Sequence, residues 1–168
     1  MEKGDQTVRT NDGTLVLSRS FAAPRNLVFA AWSSCEHLKN WWGPRSWPMH
    51  ECTMDFRVGG VWHYCLRGPN EGDVSWGLAT YEEIDEPERI VYLDAFCDAD
   101  GTVNDAMPQT RSTVEFTAVG QATRVTIRAE YASADALQQV LDMGMIAGLT
   151  ETLDRLDDHL ADEVRREA

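Results

Sequence analysis

From Ala134 to Glu163, apolar side chains recur three or four residues apart: Leu137, Leu141, Met145, Leu149, Leu153, Leu156 and Leu160. That spacing predicts one long amphipathic helix, with Ser133 as its N-cap. Glu151, Asp154, Asp157, Asp158 and Asp162 fall on the opposite face. The segment just before it has a different period. Val114, Phe116 and Ala118 alternate with Thr113, Glu115 and Thr117, and Val125, Ile127 and Ala129 alternate with Arg124, Thr126 and Arg128. One-sided alternation predicts an antiparallel sheet with one wet face. Its apolar face needs a cover, and the C-terminal helix is the one expected element long enough to provide it. The pairing of these two patterns restricts the chain to an α+β fold.

The remaining elements fit around this frame. Thr14–Phe21 reads as a first strand. Pro24 is placed to open a helix carrying Leu27, Val28, Phe29, Ala31 and Trp32. A second helical piece, Cys35–Trp42, should stop at Gly43-Pro44. Cys52, Met54 and Phe56, then Trp62, Tyr64 and Leu66, predict a hairpin across Gly59-Gly60. We expect Phe56 opposite Trp62, which keeps the large apolar groups on one face; a one-residue slip would send them outward. Further strands are expected at Val74–Ile84, Arg89–Cys97, Arg111–Val119 and Thr123–Tyr131, in a meander of about five or six strands. Residues 1–13 are expected to fray, residues 14–163 to form one domain, and residues 164–168 to be a tail.

A length of 168 residues suits one domain with one core. The net charge of −13 argues against a nucleic-acid partner and against adhesion to anionic lipid. No apolar run is long enough to span a bilayer, so no membrane insertion is expected. The N-terminal MEKGDQTVRTNDG lacks the apolar core of a secretory signal, so a cytoplasmic location is expected. Cys35, Cys52, Cys65 and Cys97 form no CxxC pair and read as buried free thiols. A homodimer is the prior expectation for any assembly.

Several anchors, in order, resemble a known family. They are Trp42-Gly43-Pro44, Asp55-x-Arg57-x-Gly59-Gly60-x-Trp62, Pro87-Glu88-Arg89-Ile90-Val91, and Gly148 followed by Leu153-Asp154-Arg155-Leu156. Over roughly residues 14–162 the chain resembles the bacterial homologues of the activator of the 90-kDa heat-shock-protein ATPase, within the START-like (SRPBCC) superfamily. The resemblance implies a helix-grip fold, in which a curved antiparallel β-sheet wraps a long C-terminal α-helix around an apolar cavity. It also implies a heat-shock chaperone as an alternative partner. Leu149 stands where the family often has tryptophan, a change that would reshape such a cavity.

No nucleotide-binding, serine-hydrolase or metalloprotease motif is present, and no cofactor is expected. Asp55 and Arg57 share a strand face and read as a structural ion pair. His50-x-Cys52 and His63-x-Cys65 would bind zinc only if they converged, and the expected register turns Cys52 inward and Cys65 outward. Asp98-x-Asp100-Gly101 reads as a polar loop rather than a calcium site. The remaining signal is aromatic and sulfur-rich. Trp41, Trp47, Met54, Phe56, Trp62 and Tyr64 are candidate contacts for a small, mostly hydrophobic ligand between sheet and helix. Trp76, Tyr92, Phe96, Met107, Met145 and Leu149 complete that set. Gly144 and Gly148, four apart on the expected helix, would leave room beside it. Trp42 reads as part of a structural corner. A cyclase- or hydrolase-like enzyme is the other alternative, with Asp55, His63 and Tyr64 as its candidate titratable groups.

Overall fold

The computed structural model describes residues 5–167. The elements run β1 (Thr7–Asn11), β2 (Thr14–Phe21), α1 (Arg25–Ala31), α2 (Cys35–Leu38), β3 (Met49–Met54) and β4 (Val61–Arg67). They continue with β5 (Val74–Asp85), β6 (Arg89–Cys97), β7 (Thr110–Val119), β8 (Ala122–Glu130), α3 (Ala134–Asp142) and α4 (Met145–Glu167). The strands form one 8-stranded antiparallel sheet in the order β1-β2-β8-β7-β6-β5-β4-β3. β2 and β3 thus lie far apart in the sheet, and α1 and α2 carry the chain between them. The expected α+β helix-grip architecture is present: the curved sheet presents its apolar face to α4, where Leu153, Leu156 and Leu160 are buried.

The C-terminal helical pattern is divided rather than continuous. Ser133 caps α3 as expected, its Oγ accepting from Ala136 N at 3.1 Å. α3 then ends at Asp142 with Met143 as its C-cap, and Gly144 takes a left-handed φ of 86°. Without a Cβ, glycine adopts that conformation at little cost, which makes it a common helix terminator. Gly144 therefore marks the break and does not carve space from a helix face. Gly148 does lie within α4, where a Cβ would meet only Pro44 Cγ, at an ordinary 3.5 Å.

Residues 7–11, expected to fray, form β1 instead. The two-residue Asp12-Gly13 turn returns β1 onto β2, with Asn11 opposite Thr14. Residues 1–4 of the expected frayed segment lie outside the described residues, as does Ala168 of the expected tail; α4 itself runs to Glu167. In the β3–β4 hairpin the parity is as expected, but the register differs by two. Met54, not Phe56, lies opposite Trp62. The strand stops earlier because residues 55–60 form a longer turn, with Arg57 N on Asp55 O (2.9 Å) and Gly60 N on Arg57 O (2.8 Å). A Cβ at Gly60 would strike the Asp55 carbonyl.

The cysteine reading needs correction at two positions. Cys35, at the start of α2, and Cys52, in the edge strand β3, form a disulfide with a Cα–Cα distance of 5.7 Å. Cys65 and Cys97 are free. The bond closes a loop of 17 residues' separation and fastens the edge of the sheet to α2. By chain entropy, a loop of about that length contributes roughly 3 kcal/mol. The Cys35→Ser/Cys52→Ser variant should therefore melt about 6–12 °C lower than the oxidised protein. Reduction of the wild type should bring the two melting temperatures together, as calorimetry with and without reductant will show.

Arg19 is the one charged residue on the inner face of β2. It shares the parity of Leu15, Leu17 and Phe21 and is 0% exposed. Its Nη2 forms ion pairs with Asp154 (2.8 Å) and Asp157 (2.5 Å) of α4. Its Nη1 donates to Gln6 Oε1 at 3.1 Å. This cluster pins the middle of α4 to the sheet.

Candidate functional site

A cavity of about 380 Å³ lies between the sheet and the helices α3 and α4. Its origin can be read from the side-chain alternation of β5. Ser75, Gly77 and Ala79 point inward, and all are small. They are flanked by Tyr64 and Trp62 of β4 and by Phe96 and Asp94 of β6, because Tyr64 pairs with Gly77, Trp62 with Ala79, Gly77 with Phe96 and Ala79 with Asp94. These small residues on the inner face of β5, of which Ser75 and Gly77 are in the wall, leave a hollow that the helices do not fill.

Gly77 also positions the polar end of the hollow. A Cβ there would overlap the Tyr64 ring. With none present, the Tyr64 phenol lies across β5 and reaches Asp94 on β6, two strands away. Its hydroxyl is 3.4 and 3.5 Å from the two carboxylate oxygens. Gly77→Ala should dislodge this ring and cost about 1–3 kcal/mol by overpacking. Urea denaturation of the variant will measure the loss, and Tyr64→Leu in the same background should restore part of it.

Among the described residues Asp94 is the one with a charged side chain in the cavity wall; no lysine, arginine or histidine among them accompanies it. It is half-buried, because its remaining accessible surface opens into the cavity. Burial pushes its pKa up to about 7, opposed by the hydrogen bond from Tyr64 and one from the backbone of Ala95. Burial raises Tyr64 and Tyr92 well above the ordinary phenol value, with the nearby Asp94 adding to the shift in both. A carboxyl poised near neutrality, ringed by phenols, can accept or donate a proton or hold a cationic group.

Of the expected contacts, Tyr64, Tyr92, Phe96, Met145 and Leu149 line the cavity. Trp76 also borders it, but its strand parity is outward and its ring stacks on His63 at 4.8 Å, on the far face of the sheet. Trp41, Trp47, Met54, Phe56, Trp62 and Met107 are not in the wall. Trp41 is core: 0% exposed, with Nε1 donating to Ala31 O at 3.1 Å. Trp62 is also buried, packed against Trp42 and Tyr64 at 4.8 and 4.5 Å. Phe56 packs on Phe29 and Tyr81, Trp47 lies against Gly68, and Met54 joins the packing around the core. Met107 lies near Gln139 on the outside of α3.

The roles expected within Trp41-Trp42-Gly43-Pro44 are thus partly exchanged. Trp42 and Pro44 line the cavity, while Trp41 is structural. The corner is fastened to α4 by Arg155, which donates to the carbonyls of Asn40 (3.1 Å), Trp42 (3.2 Å) and Gly43 (2.8 Å). Of the three titratable candidates, only Tyr64 reaches the cavity. Asp55 and Arg57 form an exposed ion pair in the β3–β4 turn, at 2.6 Å. Asp94 was missed, although its place between Tyr92 and Phe96 at two-residue spacing puts it on their face.

Cys52 is bonded to Cys35 and is not available to the zinc arrangement considered above. Potential metal ligands converge elsewhere among the described residues, at His37, His159 and Glu163, whose ligand atoms lie within 4.8 Å of one another. There His37 Nδ1 and His159 Nε2 are 2.9 Å apart, within hydrogen-bond range. Among the described residues no helix is long and apolar enough to cross a membrane.

An eight-stranded antiparallel sheet closed over a C-terminal helix, with a hollow between them, defines a START-like helix-grip protein. The chain belongs to the family described as Activator of Hsp90 ATPase homolog 1-like protein, which matches residues 22–161. Among solved structures it is similar to protein Ms6760 from Mycobacterium smegmatis, at 34% identity over 93% of this chain and 97% of that one, with a TM-score of 0.84. A protein from Arthrobacter aurescens is 29% identical over 93% of this chain and 91% of that one, with a TM-score of 0.86. One from Staphylococcus epidermidis is 31% identical over 94% of each chain, with a TM-score of 0.79. The comparison with curated proteins yields no match.

Proposed function

We propose that the chain binds a small, mostly hydrophobic molecule, non-covalently, in the cavity between the sheet and α4. The observation that carries this reading is the hollow itself: about 380 Å³, walled largely by apolar and aromatic groups, with the Asp94–Tyr64 pair at one place in the wall. A few polar groups in an apolar concavity are the usual composition of a small-molecule site. Thermal-shift screening of lipid-like and aromatic metabolites tests it. A ligand at 100 times its Kd adds about 2.7 kcal/mol of stability, an easily read shift. The reading fails if no compound stabilises the protein.

A second reading, a cyclase- or hydrolase-like enzyme, has Asp94 in its favour. A carboxyl near pKa 7 inside the cavity suits general acid–base work at neutral pH. Asp94→Asn should then abolish turnover of a screened substrate while binding persists. The chaperone-associated alternative rests on the family description; stimulation of the cognate chaperone's ATPase by saturating protein is its test. A cytoplasmic location is part of the leading reading. Fractionation combined with thiol trapping of Cys35 and Cys52 tests the location and the state of the bond there.

A further inference from the structure

We propose that the molecule held in this cavity carries a cationic amine, seated against the Asp94 carboxylate and the aromatic rings beside it. The inference rests on the ligand-binding reading above and specifies the chemistry of the ligand's polar end.

Three observations support it. First, among the described residues Asp94 has no countercharge in the cavity. They bring no lysine, arginine or histidine to the wall, and those that α3 and α4 contribute include Val140, Met145, Leu149 and Thr152, none of them titratable. Second, the groups around Asp94 suit a cation. Tyr92 and Phe96 sit two residues to either side on the same strand face, each about 7 Å along the strand by backbone geometry. Tyr64 reaches over from β4. Ring faces attract ammonium groups within about 6 Å, and more strongly where water is excluded. Third, the chain carries a net charge of −13, which favours approach of cations over anions.

The other titratable groups near Asp94 are Tyr64 on β4, Tyr81 on β5, Tyr92 and Cys97 on β6, and Tyr131 after β8. Burial shifts all of them upward, so they stay neutral around pH 7 and supply no positive charge. An unpaired carboxylate in such a place is costly, and an ammonium group on the ligand relieves that cost directly. A ligand carboxylate would be repelled. A neutral hydroxyl would gain one hydrogen bond but no charge pairing.

The test is calorimetric titration with matched sets of phenylalkyl and n-alkyl amines, alcohols and carboxylates. At about pH 8 the best amine should bind at least about tenfold tighter than its alcohol, with the carboxylate weakest. At about pH 5, where Asp94 is protonated, the preference for amine should shrink. Asp94→Asn should erase the preference and keep alcohol binding, which also shows that the variant is folded. Tyr64→Phe should keep the preference. If alcohols bind as tightly as amines and Asp94→Asn changes nothing, the amine inference is overturned and the ligand-binding reading stands. If carboxylates bind best, the amine inference is also overturned. If none of the three classes binds, both fall.

Discussion

Asp94→Asn is expected to stabilise the unliganded protein at about pH 8 and to leave it nearly unchanged at about pH 4. The Asp94 pKa is about 7 in the folded chain and about 3.9 in an unfolded one. Between these values the unfolded chain has lost its proton while the folded chain keeps it. Unfolding therefore releases a proton, and stability falls as pH rises from about 4 to about 7. Above pH 7 both forms are ionised, so the loss is complete and constant. At about 1.4 kcal/mol per pH unit, the ceiling is on the order of 4 kcal/mol. Solvent reaching Asp94 through the cavity lowers it, to roughly 2–4 kcal/mol. Asparagine carries no charge at any of these pH values and can still accept from Tyr64. Thermal melts of both proteins across this range should diverge by roughly 5–15 °C at the alkaline end. Parallel curves would show that Asp94 is better solvated than its place between Tyr92 and Phe96 implies.

Removing the Arg19 side-chain charge should be the most damaging single change outside the cavity. Arg19→Met leaves Asp154 and Asp157 facing each other with no cation between them, in a place where arginine itself is 0% exposed. Stripping one partner from a buried ion cluster costs about 3 kcal/mol or more, mainly because the remaining charges stay desolvated. Adding Asp154→Asn and Asp157→Asn should recover much of the loss, since contacting groups do not contribute additively. Arg19→Lys should be intermediate, because one ammonium cannot reproduce the planar fork that serves two carboxylates and Gln6. Urea denaturation of the series gives each value. If Arg19→Met costs no more than a surface substitution, the cluster does not hold α4 as described.

Much of this fold could be read from periodicity. β2 and β6 have the bounds that alternation assigns, and the leucine stripe of α4 is buried where the sheet needs cover. Parity carried the β3–β4 hairpin as well: Met54 and Trp62 share the inner face even though the pairing shifted by two residues. The shift arises in the Asp55–Gly60 turn, whose length depends on backbone hydrogen bonds that a period-two pattern does not encode.

The site was harder to see, for two different reasons. Some of it was available and passed over. Asp94 alternates with Tyr92 and Phe96, and Arg19 with Leu17 and Phe21, so each charged residue had an inward address in plain view. The small inner residues Ser75, Gly77 and Ala79 were also visible, and their parity places the neighbouring Trp76 on the outer face. The rest depends on tertiary contact. Trp41 and Trp42 follow the end of α2 at Leu38, where helical periodicity no longer says which ring turns inward. Cys35 and Cys52 meet only because α2 packs beside the edge strand, and sequence spacing alone does not specify a cysteine pairing.

The most direct measurement is a crystal structure of the protein with its strongest thermal-shift ligand. The account predicts ligand density between the sheet and α4, in contact with Tyr64, Tyr92 and Trp42, with its polar end at Asp94. Density for the ligand elsewhere on the surface, with the space beside Asp94 closed by protein side chains, would contradict it.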